Sequence, residues 1–237
     1  MSLFDNKYYK TGDNVKNLVI FIHGYNGSPE AIDYAIQGLG TKLNDAVVVV
    51  PRAPYCCEKN GDNLQWLSFY KVDPEVRFRN PEVSVKEIWE IFDQLGDDFA
   101  EVAQKMNEFV TEQQNKWGVN DKHTFLAGFS QGAMIAIYTS LTRKTEIAGC
   151  IDVAGIVAGS SKLEQGIISR PKFLLLHGKD DATIQYKTFA KTIEWFEEQK
   201  LLYRKYDFDG LMHRMNDAEM QVVAEFINSE GKVFPAL

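Results

Sequence analysis

Ser130 lies between two glycines, each two residues away, in Gly128-Phe129-Ser130-Gln131-Gly132. A serine hydroxyl is a weak nucleophile until a base removes its proton, and the base in turn needs a carboxylate to orient it. The chemistry in view is acyl transfer, so the first question is which residues could act as base and acid. The chain has four histidines, so elimination is practical. His123 stands at the amino end of the strand leading to Ser130, hence at the opposite edge of a sheet. His23 and His177 each follow an apolar strand and precede a glycine, a setting that favours a histidine bonded to loop backbone. His213 lies in Asp209-Gly210-Leu211-Met212-His213, after the last strand and ahead of the final helix, and is the candidate base. For the acid, Asp180 and Asp181 both follow the strand over residues 173–176. Asp152 sits inside a strand, and Asp207 and Asp209 are too close to His213 in sequence. The chain order is then serine, aspartate (Asp180 or Asp181), histidine.

Three fixed positions recur by chance in roughly one chain of this length in ten, so the elements around Ser130 must carry the weight. Residues 124–127 are apolar or β-branched and short enough for a core strand, and residues 133–141 continue as a mostly apolar helix. A serine at such a bend occupies a strained backbone conformation, and the flanking glycines keep side chains out of the neighbouring strand and helix. The helix that starts behind it directs backbone N–H groups at a developing anion.

The rest of the chain reads as alternating strands and helices. Residues 18–22 and 46–50 are continuous apolar strands of the kind buried on both faces of a parallel sheet. Between them Ser28 reads as an N-cap with Pro29 at the first helical position, and Ile32, Ile36 and Leu39 give a helical face ending at Gly40. Residues 52–80 are irregular, with an aromatic cluster at Trp66, Phe69 and Tyr70, and residues 81–95 read as a short helix or an inserted flap. Residues 97–117 are amphipathic and stop at Gly118. Strands over 148–154, 172–176 and 202–206 follow, with a Gly/Ser-rich connection over 155–166 and a helix over 186–199. The last helix covers residues 216–228, with Asn216 and Glu219 spaced as a capping box. This alternation predicts an α/β domain with a mostly parallel central sheet and helices on both faces, one domain over residues 1–237 with a flap or insertion around 71–95. Ligands of such sheets bind at the carboxyl ends of the strands.

Composition narrows the partners. A net charge of −7 argues against a nucleic-acid backbone. Three cysteines, two of them adjacent (Cys56, Cys57), give neither a disulfide framework nor metal-ligand spacing, and fit a reducing, cytoplasmic setting. The first ten residues carry charges where a signal peptide needs an apolar run, and no stretch reaches membrane-spanning length, so stable membrane insertion is not expected.

Taken together, these segments identify a resemblance. The sequence resembles the phospholipase/carboxylesterase family of α/β-hydrolases, which includes acyl-protein thioesterases and bacterial carboxylesterases, over nearly its whole length. The resemblance rests on Phe21-Ile22-His23-Gly24-Tyr25-Asn26-Gly27, Pro51-Arg52-Ala53-Pro54, Gln65-Trp66, the segment around Ser130, His177-Gly178-Lys179-Asp180-Asp181 and Gly210-Leu211-Met212-His213. It implies the α/β-hydrolase fold and a serine esterase with the triad Ser130, Asp181 and His213. The family's H-G-x-x-D pattern falls on Asp181 and so selects between the two aspartates. It also implies an oxyanion hole from the backbone N–H groups of Tyr25 and Gln131, no metal, and no organic cofactor. Tyr25 stands where many members have leucine, and the segment from about 71 to 95 is longer than the family leads one to expect. Trp66 and Phe69 are candidate substrate-binding residues, with ordinary loop anchoring as the competing reading. The expected substrate is a small-molecule ester or thioester. Carboxylesterase activity is the first reading, acyl-protein thioesterase or lysophospholipase activity the second, and a catalytically silent fold used for binding the third. The acidic balance permits a homodimer without favouring one.

Overall fold

The computed structural model describes residues 2–231. Seven strands form one sheet: β1 (Asn6–Thr11), β2 (Asn17–Ile22), β3 (Ala46–Pro51), β6 (Thr124–Phe129), β7 (Gly149–Val153), β8 (Phe173–Gly178) and β9 (Tyr203–Phe208), in the order β1-β3-β2-β6-β7-β8-β9. All neighbours are parallel except β1, which runs antiparallel along β3. A separate two-stranded hairpin, β4 (Tyr55–Cys56) and β5 (Leu64–Gln65), stands within the stretch that reads as irregular in sequence.

Every residue of β2, β3, β7 and β8 is buried, because successive side chains feed two separate cores. Leu18, Ile20 and Ile22 of β2 join one core; Val19 and Phe21 join the other. The first core is covered by α2 (Val85–Asp93), α3 (Gly96–Trp117), α4 (Gln131–Leu141), α5 (Ser160–Gly166) and α6 (Lys187–Glu198). The second is covered by α1 (Asp33–Gly40) and α7 (Asp217–Asn228), which pack on each other. Helix α4 is buried at all eleven positions, which is why its sequence shows no polar face. Helix α3 ends at Gly118, whose left-handed φ of 68° closes the last turn. Helix α7 opens with the capping box of Asn216 and Glu219.

Two local expectations are corrected, and one strand is added. Helix α1 begins at Asp33 rather than at Ser28 and Pro29. The Ser28 hydroxyl accepts from the Ala31 amide at 3.2 Å and so closes a turn ahead of the helix. The Gly/Ser-rich connection contains α5, whose first turn is capped from a distance, with Asp93 accepting from the Ser161 amide at 2.8 Å. Residues 6–11, which have no strand signal beyond alternation, form the edge strand β1. Within the segment 71–95, a 3₁₀ turn at Arg77–Arg79 leads into α2, and Phe78, Ile88, Ile91 and Phe92 are buried. Gln185 donates to the carbonyls of Phe78 and Asn80, and Lys187 to those of Pro81 and Val83, which ties this segment to the start of α6.

Candidate active site

Parallel register brings Ile22 of β2 opposite Gly128 of β6, and Phe129 opposite Val153 of β7. The carboxyl ends of these strands therefore lie side by side, and Ser130 sits between β6 and α4. Its backbone is at φ 56°, ψ −120°, a region that non-glycine residues rarely enter. Neighbouring hydrogen bonds hold it there. The Ser130 amide donates to the Val153 carbonyl at 2.9 Å, and its own carbonyl accepts from the amides of Ala133 and Met134 at 3.0 and 3.2 Å. The two glycines are required by space. A Cβ on Gly132 would stand 2.0 Å from the Ile22 carbonyl oxygen, and one on Gly128 would stand 2.2 Å from the Gly132 carbonyl carbon. At the first turn of α4 the leading amides have no carbonyl within the helix to bond, so the positive end of the helix faces the serine side.

Asp181 follows β8 and is almost fully buried. Its Oδ1 accepts from the amides of Thr183 and Ile184 at 2.8 and 3.0 Å, which fixes the carboxylate. Its Oδ2 accepts from His213 Nδ1 at 2.6 Å. Asp180, the neighbouring candidate, is exposed. The loop that carries His213 docks on the end of β8: the Asp180 amide donates to the Leu211 carbonyl at 3.0 Å, and a Cβ on Gly178 would stand 2.2 Å from that same carbonyl. The His213 ring lies 4.7 Å from the ring of Phe129, the residue before Ser130. Its side chain keeps 16% of its surface in solvent. With Nδ1 donating to Asp181, Nε2 is the nitrogen left to take or give a proton.

The other three histidines differ. His23 is fully buried, donates from Nδ1 to the Gly24 carbonyl at 2.9 Å and accepts at Nε2 from the Ala53 amide at 3.2 Å. Burial lowers its pKa to about 4, so it is neutral. His177 is also fully buried and donates from Nε2 to the Ile184 carbonyl at 2.8 Å, with Asp181 Oδ2 3.5 Å away. Burial lowers its pKa as well. His123 lies just ahead of β6, at the opposite edge of the sheet.

The loop after β2 passes directly over the serine. A Cβ on Gly24 would stand 3.2 Å from both the Ser130 Cβ and the Phe129 carbonyl oxygen. Tyr25 comes next, half-buried, with its hydroxyl donating to Glu58 Oε1 at 3.1 Å and its ring 5.1 Å from that of Phe69. Gln131 is fully buried; its Oε1 accepts from the Trp66 amide at 3.0 Å and its Nε2 donates to the Leu67 carbonyl at 3.1 Å. Trp66 has no exposed surface and donates from its indole to the His23 carbonyl at 2.9 Å. Phe69, also buried, packs between Tyr25, Phe78 and Phe92. Sequence reading did not single out His177 as a neighbour of the acid, the binding role of the Gln131 side chain, or Glu58. Only the first had a signal, the His177-Gly178 pair at a strand end.

Two further buried carboxyls flank the site. Asp152 of β7 accepts from the Gly155 amide at 2.8 Å, and burial pushes its pKa up to about 7. Glu219 is likewise pushed up to about 7 by burial, with the charge of Asp181 adding to the effect. A groove of about 960 Å³ lies between α3, the far end of α4 and α5, and Ser130 is not among its lining residues. Among the described residues no three His, Cys, Asp or Glu side chains gather in a way that could hold a metal ion. No helix among them is long and apolar enough to cross a membrane.

A strained serine at a helix start, with a histidine paired to a buried aspartate packed on the residue before it, is an arrangement suited to acyl transfer. The chain is similar to several known proteins. The chain is 24% identical to acyl-protein thioesterase 1 of Candida albicans over 231 residues, covering 92% of this chain and 94% of that protein. Among solved structures it superposes on esterase PE8 with a TM-score of 0.79 at 21% identity, covering 95% of this chain and 98% of that one. It superposes on the Bacillus cereus carboxylesterase with a TM-score of 0.69 at 15% identity, covering 96% and 94%. The family model for phospholipase/carboxylesterase matches residues 9–230. With that match spanning nearly the whole chain, the protein belongs to the phospholipase/carboxylesterase family of α/β-hydrolases.

Proposed function

We propose that this protein is a carboxylesterase that cleaves small carboxylic esters through Ser130, His213 and Asp181. His213 Nε2 takes the hydroxyl proton as Ser130 Oγ bonds to the ester carbonyl carbon, and the carbonyl π electrons move onto oxygen. The backbone N–H groups of Tyr25 and Gln131 receive that oxyanion. The intermediate collapses, the bond to the leaving group breaks, and the leaving group takes the proton from His213. Water then attacks the acyl-Ser130 ester by the same proton route and frees the acid. Asp181 fixes the His213 tautomer and stabilises its cation throughout. In this reading Trp66 and Phe69 shape the substrate side from behind, Trp66 by holding the His23 carbonyl and Phe69 by backing Tyr25.

The observation that supports this most is the 2.6 Å contact between His213 Nδ1 and Asp181 Oδ2, next to the Ser130 turn. The test is labelling by a fluorophosphonate probe in wild type, Ser130→Ala and His213→Ala. Labelling of the wild type alone is expected. A folded wild type that stays unlabelled would overturn the proposal and favour a silent fold used for binding. A thioester as the physiological substrate is favoured by one observation, the full-length similarity to acyl-protein thioesterase 1. Parallel turnover of simple esters, acyl-CoA, an S-acylated peptide and a lysolipid separates these readings. Faster turnover of the acylated peptide would assign a thioesterase, and of the lysolipid a lysophospholipase.

A further inference from the structure

Glu58 lies in the turn between β4 and β5, outside the triad, and its carboxylate is unusually well connected. Oε1 accepts from the Tyr25 hydroxyl at 3.1 Å and from the amides of Phe69 and Tyr70 at 3.0 and 3.2 Å, and Oε2 accepts from the Ser68 hydroxyl. Its own amide donates to the Gln65 side-chain carbonyl at 2.9 Å. Burial pushes the Glu58 carboxyl up, but hydrogen bonds from Ser68, Tyr70, Gln65 and Tyr25 outweigh burial and hold its pKa below the ordinary glutamate value. Burial likewise raises the Tyr25 phenol, which stays protonated and able to donate.

The segment that Glu58 organises, residues 64–70, touches both sides of the proposed oxyanion hole. On one side it holds the loop after β2. Gly27 and Leu64 exchange backbone hydrogen bonds at 3.2 and 2.9 Å, Trp66 holds the His23 carbonyl, and Phe69 backs the Tyr25 ring. On the other side it holds the first residue of α4, because the Gln131 side chain bonds the Trp66 amide and the Leu67 carbonyl. The two residues whose amides would receive the oxyanion are thus joined by side chains to one short stretch of chain. That stretch fixes the distance between them.

We infer that Glu58 is a positioning residue for the oxyanion hole: its carboxylate, bonded at once to the Tyr25 hydroxyl and to the amides of residues 69 and 70, sets the Tyr25 N–H opposite the Gln131 N–H. The inference rests on the serine-hydrolase reading above. A shift of a donor by a fraction of an ångström affects the tetrahedral oxyanion more than the bound ester, so Glu58 acts on kcat and leaves KM nearly alone.

The test uses the full chain as wild type, Ser130→Ala, Glu58→Gln, Glu58→Ala and Tyr25→Phe. Each is assayed for turnover of a short-chain p-nitrophenyl ester and for inhibition by an alkyl trifluoromethyl ketone, whose adduct with Ser130 carries an oxyanion in the same place. Glu58→Ala is expected to lower kcat by about 10²-fold, the loss typical of one oxyanion donor, with KM within about threefold and the ketone weakened by the same factor as kcat. Glu58→Gln and Tyr25→Phe each lose about tenfold, as for one hydrogen bond. Adding Tyr25→Phe to Glu58→Ala brings no further loss, because both act through the same contact. If Glu58→Ala does not fold, Glu58→Gln and Tyr25→Phe carry the test, with melting temperatures measured alongside. Variants that keep wild-type kcat and ketone affinity, or that lose only KM, overturn the role of Glu58 and leave the serine-hydrolase reading standing. A wild type that neither turns over ester nor reacts with a fluorophosphonate overturns both.

Discussion

Two parallel strands of this protein end in the same dipeptide, and the two ends are put to different uses. His23-Gly24 follows β2 and His177-Gly178 ends β8, and both imidazoles are fully buried. After β2 the ring bonds its own loop at Gly24 and the next strand's exit at Ala53, and the glycine lets the loop lie on Ser130. After β8 the ring bonds Ile184 beyond the turn, and the glycine lets the loop of His213 lie on the turn that carries Asp181. One end brings a backbone onto Ser130; the other brings His213 to Asp181. In both, the histidine is a neutral, rigid spacer, and in the proposed mechanism proton transfer falls to His213, which keeps a solvent-facing surface. A histidine in such a site is better judged by what its second nitrogen can reach than by the residues beside it.

The largest expected effect breaks the β8 end. Asp181→Asn should lower kcat by about 10⁴-fold with the fold intact, the loss seen when a triad carboxylate is neutralised; steady-state kinetics and a melting curve check it. The next contrast sets the two glycines against each other. Gly178→Ala would place Cβ 2.2 Å from the Leu211 carbonyl oxygen, and Gly24→Ala would place it 3.2 Å from Ser130 Cβ. The first should cost about 1–3 kcal/mol of stability as an overpacked site. The second should leave the melting temperature nearly unchanged and lower kcat by about 10²-fold, as for a displaced oxyanion donor.

A smaller effect concerns acid. His23 has a pKa lowered to about 4 by burial, so between pH 6.5 and 4 the unfolded chain binds a proton that the folded chain does not. The stability it contributes is complete above pH 6.5 and is lost as pH falls through about 4, roughly 3 kcal/mol in all. His177, lowered as well, acts with the same sign. Asp152 and Glu219, each raised to about 7, act with the opposite sign and favour the fold as pH falls from 7. Urea unfolding at pH 7 and pH 4.5 of wild type and His23→Gln isolates the His23 share; a pH difference as large in the variant as in wild type would contradict it. The smallest effect sharpens the choice of acid. Asp180→Asn, at an exposed position, should change kcat by less than about twofold, since surface charges in solvent couple weakly.

What was legible in the sequence was local. The apolar runs of β2 and β3, the stop of α3 at Gly118 and the capping box at Asn216 and Glu219 are each written within a few residues. So was the turn at Ser130, whose spacing is written in five residues although Gly132 answers to the distant Ile22 carbonyl. What was hidden depended on distant partners. Helix α5 takes its cap from Asp93, 68 residues earlier than Ser161. Strand β1 exists because β3 offers it an edge, and its own alternation is too polar to announce a strand. Glu58 gave no signal, since a glutamate in an irregular stretch is ordinarily a solvated one. Helix α1 was misplaced for a different reason: the Ser28 hydroxyl caps a turn as readily as it caps a helix.

The spacing around Ser130 also divides the molecule's freedom to vary. Gly132 lies so close to the end of β2, and Gly128 so close to Gly132, that each position admits a single residue type unless two strands and a helix move together. A lineage that changes substrate therefore cannot do it there. Variation is channelled into residues 52–80 apart from Glu58, Leu64, Trp66, Leu67 and Phe69, which hold the loop after β2 and the Gln131 side chain. Innovation in this protein is expected to arise by altering that frame while the turn stays constant, and libraries aimed at new acyl groups should be built in the frame.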